Sequence, residues 1–214
     1  MPETTTEDAR KARQQRKRER SRDDILAAAR AVLARDGIAA VTLEAVAREA
    51  GMSKTGLYYY FSSKEALVFE LIFGALRLHA ERVQAAVETT DTGPAALGAV
   101  IRHTVEAYSG QMDDFRLAFL LGQVSSSTYM QMSPDQLARI RPLNDMLLAG
   151  ATRLLSESKA TGPVEPRLLS FLAFLSAIGL LTMKGLVESQ GDPLLYSDDQ
   201  LIEALTTIFA RAAS

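Results

Sequence analysis

The sequence predicts an all-α protein: a three-helix N-terminal head containing a helix-turn-helix, followed by a larger helical body. Three observations predict it. Apolar residues recur at spacings of three and four throughout, and no stretch alternates with period two long enough to make a strand. Helix caps and breakers punctuate the chain at regular intervals. Charge divides front from rear. Residues 10–66 hold thirteen Lys/Arg against seven Asp/Glu, a net +6, while residues 67–214 are net −5. The whole chain is only −2. A basic front on an acidic body is the footprint of a nucleic-acid-binding head.

Residues 1–20 are polar, charged and aperiodic, and read as a basic arm that is disordered in the free protein, with room for helix near its end. Between Arg10 and Arg22 stand eight Lys/Arg and one acid, Glu19. Arg16, Lys17 and Arg18 are the densest part and are expected to touch a phosphate backbone or an adjacent minor groove. The domain boundaries expected are 1–20 for the arm, 21–66 for the head and 67–214 for the body.

Ser21 with Asp23 and Asp24 reads as a helix start. Ile25, Leu26, Ala29, Val32 and Leu33 follow on one face, and Asp36-Gly37 stops the helix. Thr42 caps a short second helix whose buried face is Leu43, Val46, Ala47 and Ala50. Gly51 supplies a turn residue tolerant of positive φ. Ser53 caps a second short helix expected to span 54–61. Ser62 or Ser63 then caps a long helix running to about Val87.

Two short helices joined through Gly51-Met52-Ser53, behind a third, form a helix-turn-helix. Leu57 and Phe61 anchor the recognition helix inward. Tyr58, Tyr59 and Tyr60 cannot all be buried by one helix against one neighbour. They read as an amphipathic rim, ring on protein and hydroxyl toward phosphate or base edge. Lys54, Thr55 and Gly56 occupy the first turn, the part that meets base edges. Gly56 costs about 1 kcal/mol of helix stability relative to Ala. Lys64 opens the next helix, where a phosphate would meet charge and free N–H groups together.

In the body, Thr89 to Pro94 is a loop, and helix resumes from Ala95 to about Tyr108. Asp113-Asp114 opens a short helix carrying Phe115 and Phe119. Ser133-Pro134 starts a helix to about Ser158. Pro166 starts the most apolar helix, read as a core or interface helix rather than a membrane span, since Lys184 and two glycines interrupt it. Ser197 with Asp198 and Asp199 caps the last helix, whose Leu201, Ile202, Leu205, Ile208 and Phe209 form one stripe.

Composition excludes several chemistries. Without cysteine there is no disulfide, thiolate catalysis or cysteine zinc site. The two histidines, His79 and His103, are far apart in sequence. His103 and Glu106, one turn apart, read as a hydrogen-bonded pair rather than a metal site. No nucleophile-base pair or glycine-rich phosphate loop is present, so neither an enzyme nor a cofactor is expected. The charged N-terminus carries no secretory h-region, and a cytoplasmic protein is expected.

The segment TLEAVAREAGMSKTGLYYYFSSKEAL, Thr42 to Leu67, closely resembles the TetR-type helix-turn-helix signature. The matching parts are the Thr cap, the Ala-Gly-hydrophobic-Ser turn, Leu-Tyr-Tyr-x-Phe and Ser-Lys-Glu-x-Leu. The resemblance covers about fifty residues counted from Ser21; beyond them only size and helical layout agree. It implies a homodimeric transcriptional regulator, usually a repressor, released from a palindromic operator by a ligand in the C-terminal domain. Carried over by position, Thr42, Tyr58, Tyr60 and Lys64 look like phosphate contacts, and Lys54, Thr55 and Tyr59 like base or groove contacts. Thr55-Gly56 departs from the family's usual small residue then Thr, and Tyr60 replaces a frequent His. Both departures leave the operator sequence open.

A homodimer requires a self-complementary patch. Phe174, Ile178, Leu181, Leu205 and Phe209 on the last two helices are the expected interface, two helices per subunit making a four-helix bundle. The effector is expected among Met112, Phe115, Phe119, Gln123, Tyr129, Met146 and Phe171, and should be apolar or aromatic. Two rival classes remain: an enzyme, and a basic nucleic-acid-binding adaptor without ligand response.

Overall fold

A computed structural model describes residues 6–120, 132–158, 162–188 and 196–213. The elements are helical, and no strand occurs among the described residues. They are α1 (Thr6–Asp36), a 3-10 turn (Ile38–Ala40), α2 (Leu43–Glu49), α3 (Lys54–Tyr58), α4 (Lys64–Glu88), α5 (Gly93–Ser109), α6 (Met112–Phe115) continuing into a π-helical turn (Arg116–Leu120), α7 (Pro134–Glu157), α8 (Pro166–Glu188) and α9 (Asp198–Ala212). Two compact units result, Met1–Ile72 and Phe73–Ser214, and α4 carries the chain from one into the other.

The basic arm differs from expectation. From Thr6 onward it is helix, continuous through Ser21, so that serine is not a cap. The physical reason lies in composition and in cooperativity. Arg, Lys, Gln and Glu are good helix formers. Extending a nucleated helix costs far less than starting one. Gln15 adds support by donating to Glu19 one turn later at 2.8 Å. The recognition helix is also shorter than expected and ends at Tyr58, with Tyr59 and Tyr60 in the following turn. The backbone stays compact there: the N–H groups of Tyr60 and Phe61 both donate to the Leu57 carbonyl, at 2.9 and 3.0 Å.

In the head, Ile25, Ala29, Val32, Val46, Leu57, Phe61 and Leu67 build a sealed core. Caps fix the helix starts. Thr42 Oγ1 accepts from Ala45 N–H at 3.1 Å, Ser53 Oγ from Gly56 N–H at 3.0 Å and Ser63 Oγ from Ala66 N–H at 3.1 Å. Gly51 has φ +64°, and Met52 N–H donates back to the Ala47 carbonyl at 2.9 Å. This reversal lets α3 cross α2 within three residues.

In the body, α5 is the central helix. Its Leu97, Ile101, Val105 and Tyr108 enter one cluster with residues of α6, α8 and α9. Its Ala96 and Val100 enter a second with α4 and α7. The first buried face of α8 is Leu169, Ala173, Ala177 and Leu181, spaced by four. By length and composition α8 is apolar enough to cross a membrane, yet this face packs into the body. Ser133 with Gln136, and Ser197 with Gln200, form reciprocal capping boxes that set the starts of α7 and α9.

Candidate nucleic-acid interface

The recognition helix divides its residues by burial. Leu57 is 0 % exposed and Phe61 2 %, so both are held in the head's core, while Tyr58 and Tyr59 are 48 % and 66 % exposed. Lys54 and Thr55 are exposed beside them. Lys54 Nζ rests 3.5 Å from Glu44 on α2, a contact that water screens strongly. Tyr59 and Tyr60 meet edge to face with ring centroids 5.2 Å apart, which fixes both rings. Gly56 has a local reason for its identity: a Cβ there would lie 3.2 Å from the Ser53 Oγ that caps the helix.

The basic arm belongs to the same face. Arg18 places its guanidinium 5.4 Å from the Tyr59 ring centroid, a cation–π contact. Lys11, Gln14, Gln15, Lys17 and Arg18 of α1 line a groove of about 410 Å³ with Tyr59 and Tyr60. Arg16, Lys17 and Arg18 are all exposed, and so is the preceding turn. One turn further on, Arg22 lies 4.9 Å over Phe61 and pairs with Glu70 at 2.9 Å. Arg22 is therefore structural, joining α1 to α4. The adjacent cations point to solvent. Sequence reasoning missed this joint, because Arg22 reads as one more member of the basic run.

Lys54, Thr55, Tyr58, Tyr59, Tyr60 and Gly56 thus fall on one short stretch. Thr42 sits exposed at the start of α2 with its hydroxyl engaged as a cap, and Lys64 is half-buried at the start of α4. Residues 25–71 match the sequence family described as bacterial regulatory proteins, tetR family.

Residues 25–71 belong to the TetR family.

These residues are thereby a helix-turn-helix DNA-binding domain of TetR type. Solved structures share the fold over nearly the whole length. A TetR/AcrR-family regulator from Thermobifida fusca YX-ER1 is 22% identical, with 88% of this chain and 96% of that one covered and a TM-score of 0.68. A TetR-family regulator from Marinobacter aquaeolei VT8 is 21% identical, covers 92% and 97%, and scores 0.66. The transcriptional regulator FadR from Bacillus subtilis, solved in complex with stearoyl-CoA, is 18% identical, covers 88% and 97%, and scores 0.67. No curated protein sequence is a significant match.

The body distributes the expected effector residues over three places. Phe115 is fully buried in the α5–α8–α9 cluster, with Met112 and Phe119 half-buried against it. Met146 packs on the other cluster. Phe171, 42 % exposed, lines a cleft of about 520 Å³ between α7 and α8. Gln123 and Tyr129 lie outside the described residues.

One expected interface residue is corrected. Leu181 is 0 % exposed within a single chain and belongs to its own core, so it has no surface to offer a partner. Phe174, Ile178, Leu205 and Phe209 are half-buried against the same cores. The uncovered face of α8 is the next one round: Leu168, Phe171, Leu172, Leu175, Met183 and Leu186, with Ile208 exposed on α9. A helix apolar nearly all round gives no sequence signal for which side faces inward, so the burial of Leu181 is not legible in the sequence.

The body also holds a polar pair that the sequence did not reveal. His79 on α4 is 4 % exposed, and its Nε2 lies 3.0 Å from Thr104 Oγ1 on α5 in a hydrogen bond. Burial, reinforced by the Arg82 charge, lowers its pKa to about 4, so the ring is neutral at pH 7. Tyr108, 2 % exposed, has a hydroxyl with no hydrogen-bond partner among the described residues. A buried unpaired hydroxyl costs about 1–3 kcal/mol. Helical spacing was the available signal: His79 is four residues from both Ala75 and Val83 on the buried face of α4. His103 pairs with Glu106 at 3.1 Å, as expected, and no metal-holding group of side chains occurs among the described residues.

Proposed function

We propose that the chain is a cytoplasmic, ligand-responsive repressor that binds a palindromic operator as a homodimer. The observation that carries this reading is the exposed Tyr58-Tyr59 pair beside Lys54 and Thr55, on a helix anchored by fully buried Leu57 and Phe61. Large aromatics are rarely left in water without use, whereas a rim of phenol hydroxyls and cations suits phosphates and base edges. Thr42, Tyr58, Tyr60 and Lys64 are assigned to phosphates, and Lys54, Thr55 and Tyr59 to the groove. Gly56 lets the backbone come close. Arg16, Lys17 and Arg18 extend the basic face along α1.

The dimer is assigned to the uncovered face of α8 with α9. Its apolar residues recur at spacings of three and four, the pattern of a helix packing against another helix. The hydroxyls of Ser176 and Thr182 on α8 donate to the helix's own carbonyls at 2.9 and 2.8 Å, leaving them satisfied when water is excluded. Phe174, Ile178, Leu205 and Phe209 border this face. The effector is an apolar or aromatic small molecule bound in the body. That the structurally similar Bacillus subtilis FadR was solved with stearoyl-CoA supports a ligand-responsive body.

Selection of genomic fragments by the purified chain tests the reading. Enrichment of palindromic duplexes supports it. Equal retention of unrelated or single-stranded fragments would instead favour a basic adaptor and overturn it.

A further inference from the structure

The ring cluster of the body is arranged around the unpaired hydroxyl of Tyr108. His79 lies 5.1 Å from the Tyr108 ring, Phe115 5.7 Å and Phe119 5.6 Å, centroid to centroid. Phe174 lies 6.0 Å from His79 and 6.2 Å from Phe119. Tyr108, Phe115 and His79 are sealed, while Phe119 and Phe174 are only half-buried. Phe174 is at the same time a wall of the 520 Å³ cleft between α7 and α8. That volume lies within the range of roughly 300–1,000 Å³ typical of small-molecule sites. Phe119 stands on the π-helical turn, a backbone form that recurs at functional sites. Phe174 therefore joins the open cleft to the ring cluster, whose buried Tyr108 donor is satisfied by none of the described residues.

The charges at the cleft are already engaged. Arg167 at the cleft pairs with Asp145 at 2.8 Å, and Glu165 accepts from the N–H groups of Arg167 and Leu168, both at 2.8 Å. Arg82 is solvent-exposed, and on Tyr108 its charge acts in the opposite sense to that of Asp114. His79 is neutral at pH 7. A carboxylate or phosphate brought into this cluster would lose its hydration without gaining a buried counter-charge among the described residues.

We propose that the ring cluster around Tyr108 is the effector site, and that the effector is an uncharged aromatic molecule whose acceptor oxygen takes the Tyr108 O–H hydrogen bond. The inference rests on the regulator reading and specifies its ligand class. Ring-on-ring packing supplies the affinity, and the single donor supplies the discrimination between an aromatic ketone or ester and a hydrocarbon of the same shape. His79 links this site to α4 through its ring contacts, since it belongs to the helix that begins at Lys64.

Calorimetric titration of the full chain, without DNA, tests it with three probes: benzophenone, diphenylmethane and palmitoyl-CoA. Benzophenone carries one carbonyl acceptor; diphenylmethane has nearly the same shape and none. Benzophenone is expected to bind about tenfold tighter than diphenylmethane, the worth of one buried hydrogen bond. Tyr108→Phe removes a hydroxyl that has no partner, so the variant folds, and it should equalise the two affinities by weakening benzophenone alone. Equal affinities in the natural chain, a preference that survives Tyr108→Phe, or binding of palmitoyl-CoA with no binding of benzophenone would each overturn the inference. Operator retention by the same preparation is scored separately. Retention with any of those outcomes leaves the regulator reading standing and the effector class wrong; loss of retention removes the regulator reading itself.

Discussion

Replacing His79 with Gln should remove a defined part of the protein's acid sensitivity. In the folded chain the ring is buried, bonded to Thr104, and held near pKa 4 chiefly by burial; unfolded, it returns to about 6.5. Between these values the unfolded chain takes up a proton that the folded chain refuses. Stability is therefore full above pH 6.5, falls as pH drops toward 4, and levels below it. A difference of roughly 2.5 pH units corresponds to about 3 kcal/mol in total, and about 2 kcal/mol of it is already lost by pH 5. Gln preserves a hydrogen-bonding side chain for Thr104 and does not titrate. Urea unfolding at pH 7 and pH 5, at one protein concentration, measures both proteins. The natural chain should lose about 2 kcal/mol more than His79→Gln over that interval. Parallel losses would refute the reasoning, because they would place the His79 pKa at the same value in both states.

Other consequences are equally specific. Deleting residues 1–20 removes the seven Lys/Arg between Arg10 and Arg20, so operator affinity should fall and its dependence on salt should flatten; an unchanged salt slope in a filter-binding series contradicts the role given to the arm. Leu175→Glu and Leu186→Glu place charges on the uncovered face of α8 and should convert dimer to monomer in sedimentation velocity, whereas Leu181→Ala should instead destabilise the fold by about 2–5 kcal/mol. Gly51→Ala meets no atom within 4 Å, so its cost is conformational, about 1–2 kcal/mol of unfolding free energy at φ +64°, read in thermal denaturation.

The head was legible because its signals are local. A Thr or Ser cap, a glycine that takes positive φ, and anchors one turn apart fix a helix-turn-helix within twenty residues, and Leu57 and Phe61 are buried as their spacing predicts. Charge density in the arm suggests disorder, yet its residues propagate helix well once α1 is nucleated. The body was legible in its element boundaries, where Ser133 and Ser197 cap as predicted. It was not legible in its phases. On α8 every side is apolar, so the choice between the Leu181 face and the Leu175 face depends on what α5 and α9 leave uncovered. The partnership of His79, Thr104 and Tyr108 is likewise a long-range product of packing, since α4 and α5 meet only in the folded body.

The most direct measurement is a footprint on a selected genomic operator, with the natural chain and with Tyr59→Ala. The account predicts two protected half-sites with centres separated by about 34–36 Å or a multiple of it, and loss of both together in the variant. A single protected site, or protection unchanged by Tyr59→Ala, would contradict it.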